Sequence, residues 1–340
     1  MYAAHDLAYF SDDRGLFPPV PSLLLHAVRG LAMVPALTAV PYSAVYFEGR
    51  FVPPHGDEAK VPLTDPGYLL GDGVFATMHG YDGVCFRAER HLAILVRGAE
   101  LFGLTLPVGV DRLIAIADEA ASRTRVRDAY VRVTLTRTSD DARPALSVIS
   151  RPLDVPAAGD YANGVKATIV SARRIPPACV DPTVKSTSYA PLVLARREAR
   201  SRGIGAGEGI MLAVDGSLAC GTMANLFLVK GDELLTPSLA SGCRAGVTRE
   251  LVLELAPRVG LRPREATLPL EALFEADEAF FTSSRVECLP IASVDGRDIG
   301  RPREGDEVKP PRAAALRGAL RAVVSDESTF ATMSERRGTA

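Results

Sequence analysis

Three short segments, in a fixed order, constrain this chain more than anything else in it: Lys185 within VKSTSYAPLV, the run CGTMANLFLV at 220–229, and GVTR at 246–249. The apolar run at 224–229 reads as a buried strand. Gly246-Val247-Thr248 then opens a helix near Val247, so that backbone N–H groups and the Thr248 hydroxyl converge on the helix N-terminus, where a dianion is stabilised. A fold that accommodates these pieces must bring an amine, a buried strand and an anion-attracting helix start into one body.

With 340 residues, 47% of them hydrophobic and 24% charged, the chain can bury a substantial core, and its length predicts about two domains. A formal net charge of −2 gives no global attraction to nucleic acid or to an anionic membrane surface. The five cysteines, at 85, 179, 220, 243 and 288, are odd in number and form no CxxC pair. That pattern argues against a disulfide framework and against structural zinc, and favours a reducing cytoplasm. The five histidines lack the ligand spacing of a metal site, and HGY at 79–81 does not make one. No P-loop or dinucleotide fingerprint is present.

Residues 1–44 read as a poorly interpretable extension. The apolar stretch 23–40 is interrupted by Arg29 and Pro35 and preceded by Asp6, Asp12 and Asp13, which fits neither a signal peptide nor a spanning helix; Met33 is an alternative start. From residue 44 the pattern is regular. Two hairpins are predicted, one turning at Glu48-Gly49 and one at Asp82-Gly83 within 80–86. Helices follow over 90–103 and 110–123, with a strand over 129–137. A polar linker over 139–160 contains one more strand at 146–150. The second half alternates strands (164–172, 210–214, 224–229, 278–282) with helices (190–202, 247–259), a mixed architecture rather than a serial βαβ series. The expected organisation is a small α+β domain at 45–155, a larger domain at 160–324 and a loose polar tail at 325–340.

Several segments together resemble the class IV (fold-type IV) aminotransferases, whose members include branched-chain and D-amino acid aminotransferases and aminodeoxychorismate lyases. TDPGYLLGDGVFATMHGYDGVCF at 64–86 with RHL at 90–92, VKSTSYAPLVLARREA at 184–199, CGTMANLFLV, LLTPSLASGCRAGVTRELVLELA at 234–256 and FFTSSRVECLPI at 280–291 match that family's motifs in order. The resemblance implies a two-domain α+β fold with a small N-terminal α+β domain and a larger mixed α/β domain. It also implies pyridoxal 5'-phosphate as cofactor, an amino donor and a keto acid acceptor as substrates, and a homodimer.

Carried over residue by residue, the resemblance makes Lys185 the amine that takes the cofactor aldehyde and moves the substrate proton. Gly246, Val247 and Thr248, with Ser283 and Ser284, would bind the phosphate, while Arg249 reads as structural. Tyr189 would line the cofactor or simply pack at a helix start. Arg132 would meet a substrate carboxylate or merely charge a strand face, and His91 would order its helix. Four positions depart from the family pattern. Cys220 stands where a carboxylate faces the ring nitrogen; a neutral thiol cannot supply that charge, although a thiolate could. Ile94 replaces an arginine that pairs the phosphate, with Arg97 one turn on as a substitute anchor. Arg244 replaces a leucine under the ring, and Ala76 a glutamate. Two readings follow. One is a transaminase-like or lyase-like enzyme acting on a small amino acid or amine through an altered pocket. The other is a catalytically degraded relative serving as a binding or structural partner.

Overall fold

The computed structural model describes residues 42–139, 143–300 and 311–338, and the readings made for residues 1–41 lie outside it. The described residues belong to one compact unit. Its first part is a six-stranded antiparallel sheet in the order β2-β1-β6-β5-β3-β4. These strands are β1 (Ala44–Phe47), β2 (Arg50–Val52), β3 (Gly73–Tyr81), β4 (Val84–Cys85), β5 (Asp128–Thr136) and β6 (Ala145–Pro152). Both predicted hairpins form. Glu48 and Gly49, like Asp82 and Gly83, take positive φ, the conformation a two-residue hairpin turn needs.

Along β5 the sequence alternates: Ala129, Val131, Val133 and Leu135 are buried while the residues between them are partly exposed. Two helices, α2 (Ala88–Leu101) and α3 (Val110–Arg123), contribute Leu92, Leu95, Leu113 and Ile116 to the core against that sheet. Before them, α1 (Pro66–Leu69) is a single turn begun by proline.

The second sheet runs β12-β11-β10-β13-β14-β7-β8-β9, with β15 (Arg297–Asp298) paired to β14. Its strands are β7 (Val165–Arg173), β8 (Gly209–Leu212), β9 (Leu218–Gly221), β10 (Asn225–Lys230), β11 (Glu233–Pro237), β12 (Arg262–Ala266), β13 (Glu278–Ser283) and β14 (Glu287–Val294). Pairing is mixed: β11 with β12, β14 with β7 and β7 with β8 are parallel, and the rest antiparallel. The architecture is therefore α+β with two sheets, as the sequence implied. Around this sheet lie α4 (Ala158–Asn163), α5 (Ala190–Ser201), α6 (Val247–Leu255), α7 (Leu270–Phe274) and α8 (Arg312–Gly338).

The segment after Val324, read from its polar composition as a loose tail, continues α8 to Gly338. Val324 packs in the core, and the sequence beyond it is too polar to offer an apolar stripe for a periodicity reading to find. It nevertheless lacks proline, and its first glycine is Gly338, so nothing in it stops a helix already begun. Among the described residues, no helix is long and apolar enough to cross a membrane.

Candidate active site

Lys185 is positioned by the small sheet rather than by its own neighbours in sequence. Strand β4 covers β3 only at Gly80 and Tyr81, so the edge at Gly73–Phe75 accepts the segment carrying the lysine. Val74 bridges Ser186 in antiparallel register. The Phe75 N–H donates to the Lys185 carbonyl at 2.8 Å, and the Thr187 N–H donates to Gly73 O at 2.8 Å. The Thr187 hydroxyl adds a bond to Gly71 O at 2.7 Å. Val184 is buried in the core of the small sheet, and extended backbone alternates its side chains, which turns Lys185 the other way. The amine then lies 5.7 Å from the centre of the Phe75 ring. Burial, reinforced by the Arg244 and Arg132 guanidiniums, pushes the Lys185 pKa down to about 7.

The amine opens into a solvent-accessible cavity, which with the open solvent at its mouth spans about 720 Å³. At one end is the start of α6. Gly246 is its N-cap and supplies no side-chain cap, and the first intrahelical donor is Glu250 N–H to Gly246 O at 2.9 Å. The amides of the first turn therefore remain for an anion. Thr248, Ser283 and Ser284 line the same end. A Cβ at 246 would collide with Asn225 Oδ1, so any residue other than glycine there would have to displace that side chain. Asn225 in turn donates from Nδ2 to Arg244 O at 2.7 Å, which ties the helix start to β10.

Elsewhere the cavity is lined by Cys220 on β9, with Arg174 and Arg244. Burial pushes the Cys220 thiol up to about 11, against the opposing pull of Arg174 and Arg244. The thiol is neutral at pH 7, which removes the thiolate alternative raised by the sequence. Tyr189 also lines the cavity, edge-on to Phe75 with ring centres 5.2 Å apart, and Arg244 donates to Val184 O at 2.9 Å.

Lys185, Tyr189, Cys220, Gly246, Val247, Thr248, Ser283 and Ser284 thus come together, as do three of the departing positions, Ala76, Ile94 and Arg244. Two expected residues do not join them. Arg97 pairs with Asp181 at 3.1 Å and its side chain is 65% exposed. Three residues along a helix is a rotation of roughly 60° short of a full turn, enough to carry Arg97 from the face of Ile94 into solvent. Arg132 stacks on Phe75 at 3.6 Å and donates from Nε to Thr134 Oγ1, outside the lining of the cavity. Its charge nevertheless reaches Lys185. Arg249 is structural, as read: it is buried and paired with Glu265 at 2.7 Å.

Sequence reasoning missed Arg174, which follows β7, is buried, and donates from Nε to Gly242 O at 2.6 Å. It also missed Thr282, whose hydroxyl is buried at the cavity wall with no hydrogen-bond partner. Arg174 sits in no local pattern that marks it, whereas Thr282 lies within the FFTSSRVECLPI motif beside the two serines that the sequence singles out.

Comparison with known proteins agrees with this geometry. The family profile described as amino-transferase class IV matches residues 73–294. A Methanocaldococcus jannaschii protein named "Putative branched-chain-amino-acid aminotransferase" is 34% identical over 273 residues, covering 78% of this chain and 92% of that protein. The Escherichia coli branched-chain-amino-acid aminotransferase is 29% identical, covering 78% and 89%. Among solved structures, the Thermoproteus uzoniensis branched-chain aminotransferase with norvaline superposes with a TM-score of 0.73 at 29% identity, covering 83% of this chain and 95% of that one.

Proposed function

The chain belongs to the class IV aminotransferases, and we propose that it uses pyridoxal phosphate carried on Lys185 to move an amino group between a small, mainly apolar amino acid and a keto acid. The observation that carries this reading is the pairing, in one cavity, of a lysine amine with a pKa near 7 and an uncapped helix start flanked by three hydroxyls. The donor set fits the cofactor: neutral hydroxyls and backbone amides suit a phosphate, a half-neutral amine suits an aldehyde, and the aromatic rings of Phe75 and Tyr189 suit a flat heterocycle.

Gly246, Val247 and Thr248 with Ser283 and Ser284 would hold the phosphate, and Tyr189 and Cys220 would border the ring. When bound, the cofactor supplies an electron sink for charge developing at the substrate α-carbon. Lys185 Nζ, uncharged above about pH 7, takes the proton from that carbon and returns it. Arg244 and Arg132 help to keep the amine uncharged, and Arg244 with Arg174 provides positive charge for a substrate carboxylate. Ala76, Ile94 and Leu192 give an apolar wall for the side chain, consistent with relatives named for branched-chain substrates.

A homodimer is part of the proposal. Leu63, Tyr68, Leu69 and Leu70 are exposed beside Gly71, whose carbonyl takes the Ser188 hydroxyl at 3.2 Å, and such an apolar edge suits a second copy. Five free cysteines support a reducing, cytoplasmic setting. No observation favours a degraded partner protein, because lysine, cradle and cavity are all in place. Borohydride reduction of protein incubated with pyridoxal phosphate, followed by peptide mass spectrometry, is expected to find the adduct on Lys185. An adduct spread over surface lysines, with Lys185 unmodified, overturns the proposal.

A further inference from the structure

Behind the anion cradle lies a histidine that the chemistry above does not use. His79 on β3 is buried and stacked on Tyr81, with ring centres 3.7 Å apart. Its Nε2 is 2.8 Å from Asp128 Oδ1, and its Nδ1 is 2.9 Å from the Ser284 carbonyl. A carbonyl oxygen has no proton to give, and neither has a carboxylate, so both contacts are hydrogen bonds only when both ring nitrogens carry a proton. That state holds one proton more than a neutral imidazole beside an ionised carboxylate. Burial pushes the His79 pKa down, opposed by Asp128, the Ser284 carbonyl and Glu287. The alternative, a neutral imidazole facing two acceptors, leaves one lone pair against an oxygen in a buried site.

We propose that Asp128 and His79 form a positioning pair for the cradle: the doubly donating imidazole grips the Ser284 carbonyl and so fixes the Ser283–Ser284 turn beside the start of α6. The turn closes the β13–β14 hairpin, in which Ser283 pairs with Glu287. Its other ties are Val286 N–H to Ser283 Oγ at 3.3 Å, Tyr161 Oη to the Val286 carbonyl at 3.2 Å and Arg285 Nε to the Asp154 carbonyl at 2.8 Å, while the Ser284 carbonyl is met by His79; Glu287, which follows, has φ of 53°. A small cavity beside the turn and the start of α6 is lined by His79, Thr248, Ser283, Ser284 and Glu287 among others. The charged and titratable groups around His79 are Asp128 on β5, Tyr81 on its own strand and Glu287 on β14. Glu287 is itself answered by Tyr81 Oη at 3.3 Å and by Arg317 and Arg321 of α8 at 2.6 and 3.0 Å; His91 of α2 borders the same cavity.

Losing the shared proton reverses the contact. The ionised Asp128 is the stronger acceptor and retains the hydrogen on Nε2. Nδ1 then presents a lone pair to the Ser284 carbonyl, and the turn is pushed away. Cradle affinity should therefore fall as pH rises through the titration of the pair.

The inference rests on the phosphate reading of the cradle, and two probes separate the two. Titration calorimetry with pyridoxal phosphate and with inorganic phosphate, from about pH 5 to 8, is run on the wild type, His79→Gln and Asp128→Asn. In Asp128→Asn the amide donates to Nε2, so a neutral imidazole keeps its Nδ1–H on Ser284. That variant is expected to hold wild-type affinity at low pH and to lose the decline at high pH. His79→Gln is expected to bind both probes about tenfold more weakly. Lys185 and the phosphate titrate in all three proteins, so the difference between wild type and Asp128→Asn isolates the pair. Phosphate binding with this pattern, but no pyridoxal phosphate adduct on Lys185, sinks the cofactor reading and sustains the positioning pair. Identical affinities and pH profiles in the three proteins, or binding of neither probe, overturn the pair.

Discussion

The two ends of the cavity achieve their polarity by opposite means. At the cradle, the donors are the first-turn amides of α6 and the hydroxyls of Thr248, Ser283 and Ser284, all of them neutral. At the Cys220 end the polarity is carried by side-chain charge, Arg174 and Arg244, around a thiol that burial keeps protonated. Backbone donors are set by the fold and resist substitution of any one side chain; they fail when the backbone is displaced. Charged side chains fail the other way, when one partner changes its charge. Lys185 stands between these regimes, with a position set by backbone pairing to β3 and a reactivity set by burial and, after it, by nearby guanidiniums.

The largest effect should come from removing the group that serves both ends. Lys185→Ala is expected to abolish the borohydride-trapped adduct and to lower amino transfer by about four decades. In the wild type, the rate of adduct formation should rise with pH through about 7 and level off above, because the amine becomes free base there. Arg244→Met removes one cation beside that amine and should move this profile to higher pH. A profile centred near the ordinary lysine pKa would show that burial does not act on Lys185 as described, and the contrast between the ends would lose its pivot.

The next test attacks the cradle through its backbone. Gly246→Ala places a methyl group against Asn225 Oδ1, and overpacking of this kind costs about 1–3 kcal/mol. Cofactor affinity should fall by about ten- to a hundredfold as the helix start moves off its strand. Thr248→Val, which removes one hydroxyl and leaves the amides, should cost less. If the hydroxyl variant is the more damaging of the two, the cradle is not governed by its backbone.

At the opposite end, Cys220→Glu introduces a carboxylate next to Arg174 and Arg244, where a buried negative charge finds partners. It should raise the rate of the half-reaction with an amino donor by about tenfold, read by stopped-flow absorbance. An unchanged rate, with cofactor still bound, would mean that the missing carboxylate does not limit this enzyme.

These contrasts track what the sequence could reveal. Lys185, Tyr189, Cys220, the Gly246–Thr248 turn and Ser283–Ser284 each lie within a contiguous motif, so their neighbours in sequence identified them. Asp128, His79 and Ser284 come from three distant segments, and no local spacing links them; in the sequence the HGY segment is legible only as a histidine without metal-ligand spacing. Arg174 escaped for a related reason, since an arginine after a strand reads as surface until Gly242 closes over it. Secondary structure was legible where alternation or an apolar stripe existed, as in β5 and α3. It failed in the polar end of α8, where helix propensity alone continues the element, and in β12, whose residues are mostly exposed.

The smallest effect is expected at Arg97, and it bears on the comparison because it asks whether the cradle holds any mobile charge. The arginine is one turn beyond Ile94, and sequence spacing alone made it a replacement phosphate anchor. In the fold it is largely exposed and engages Asp181, which lies in the segment before Lys185. An ion pair so exposed contributes about 0.2–1 kcal/mol and is weakened by salt. Arg97→Ala should therefore leave the dissociation constant for pyridoxal phosphate within about twofold of wild type, and lower Tm by no more than a few degrees. Calorimetric titration at low and at 0.5 M salt reads the first quantity, and thermal denaturation the second. A tenfold loss of affinity that disappears in high salt would place the guanidinium at the phosphate in solution. The cradle would then depend on a charged side chain, as the Cys220 end does, and the distinction between the two ends would not hold.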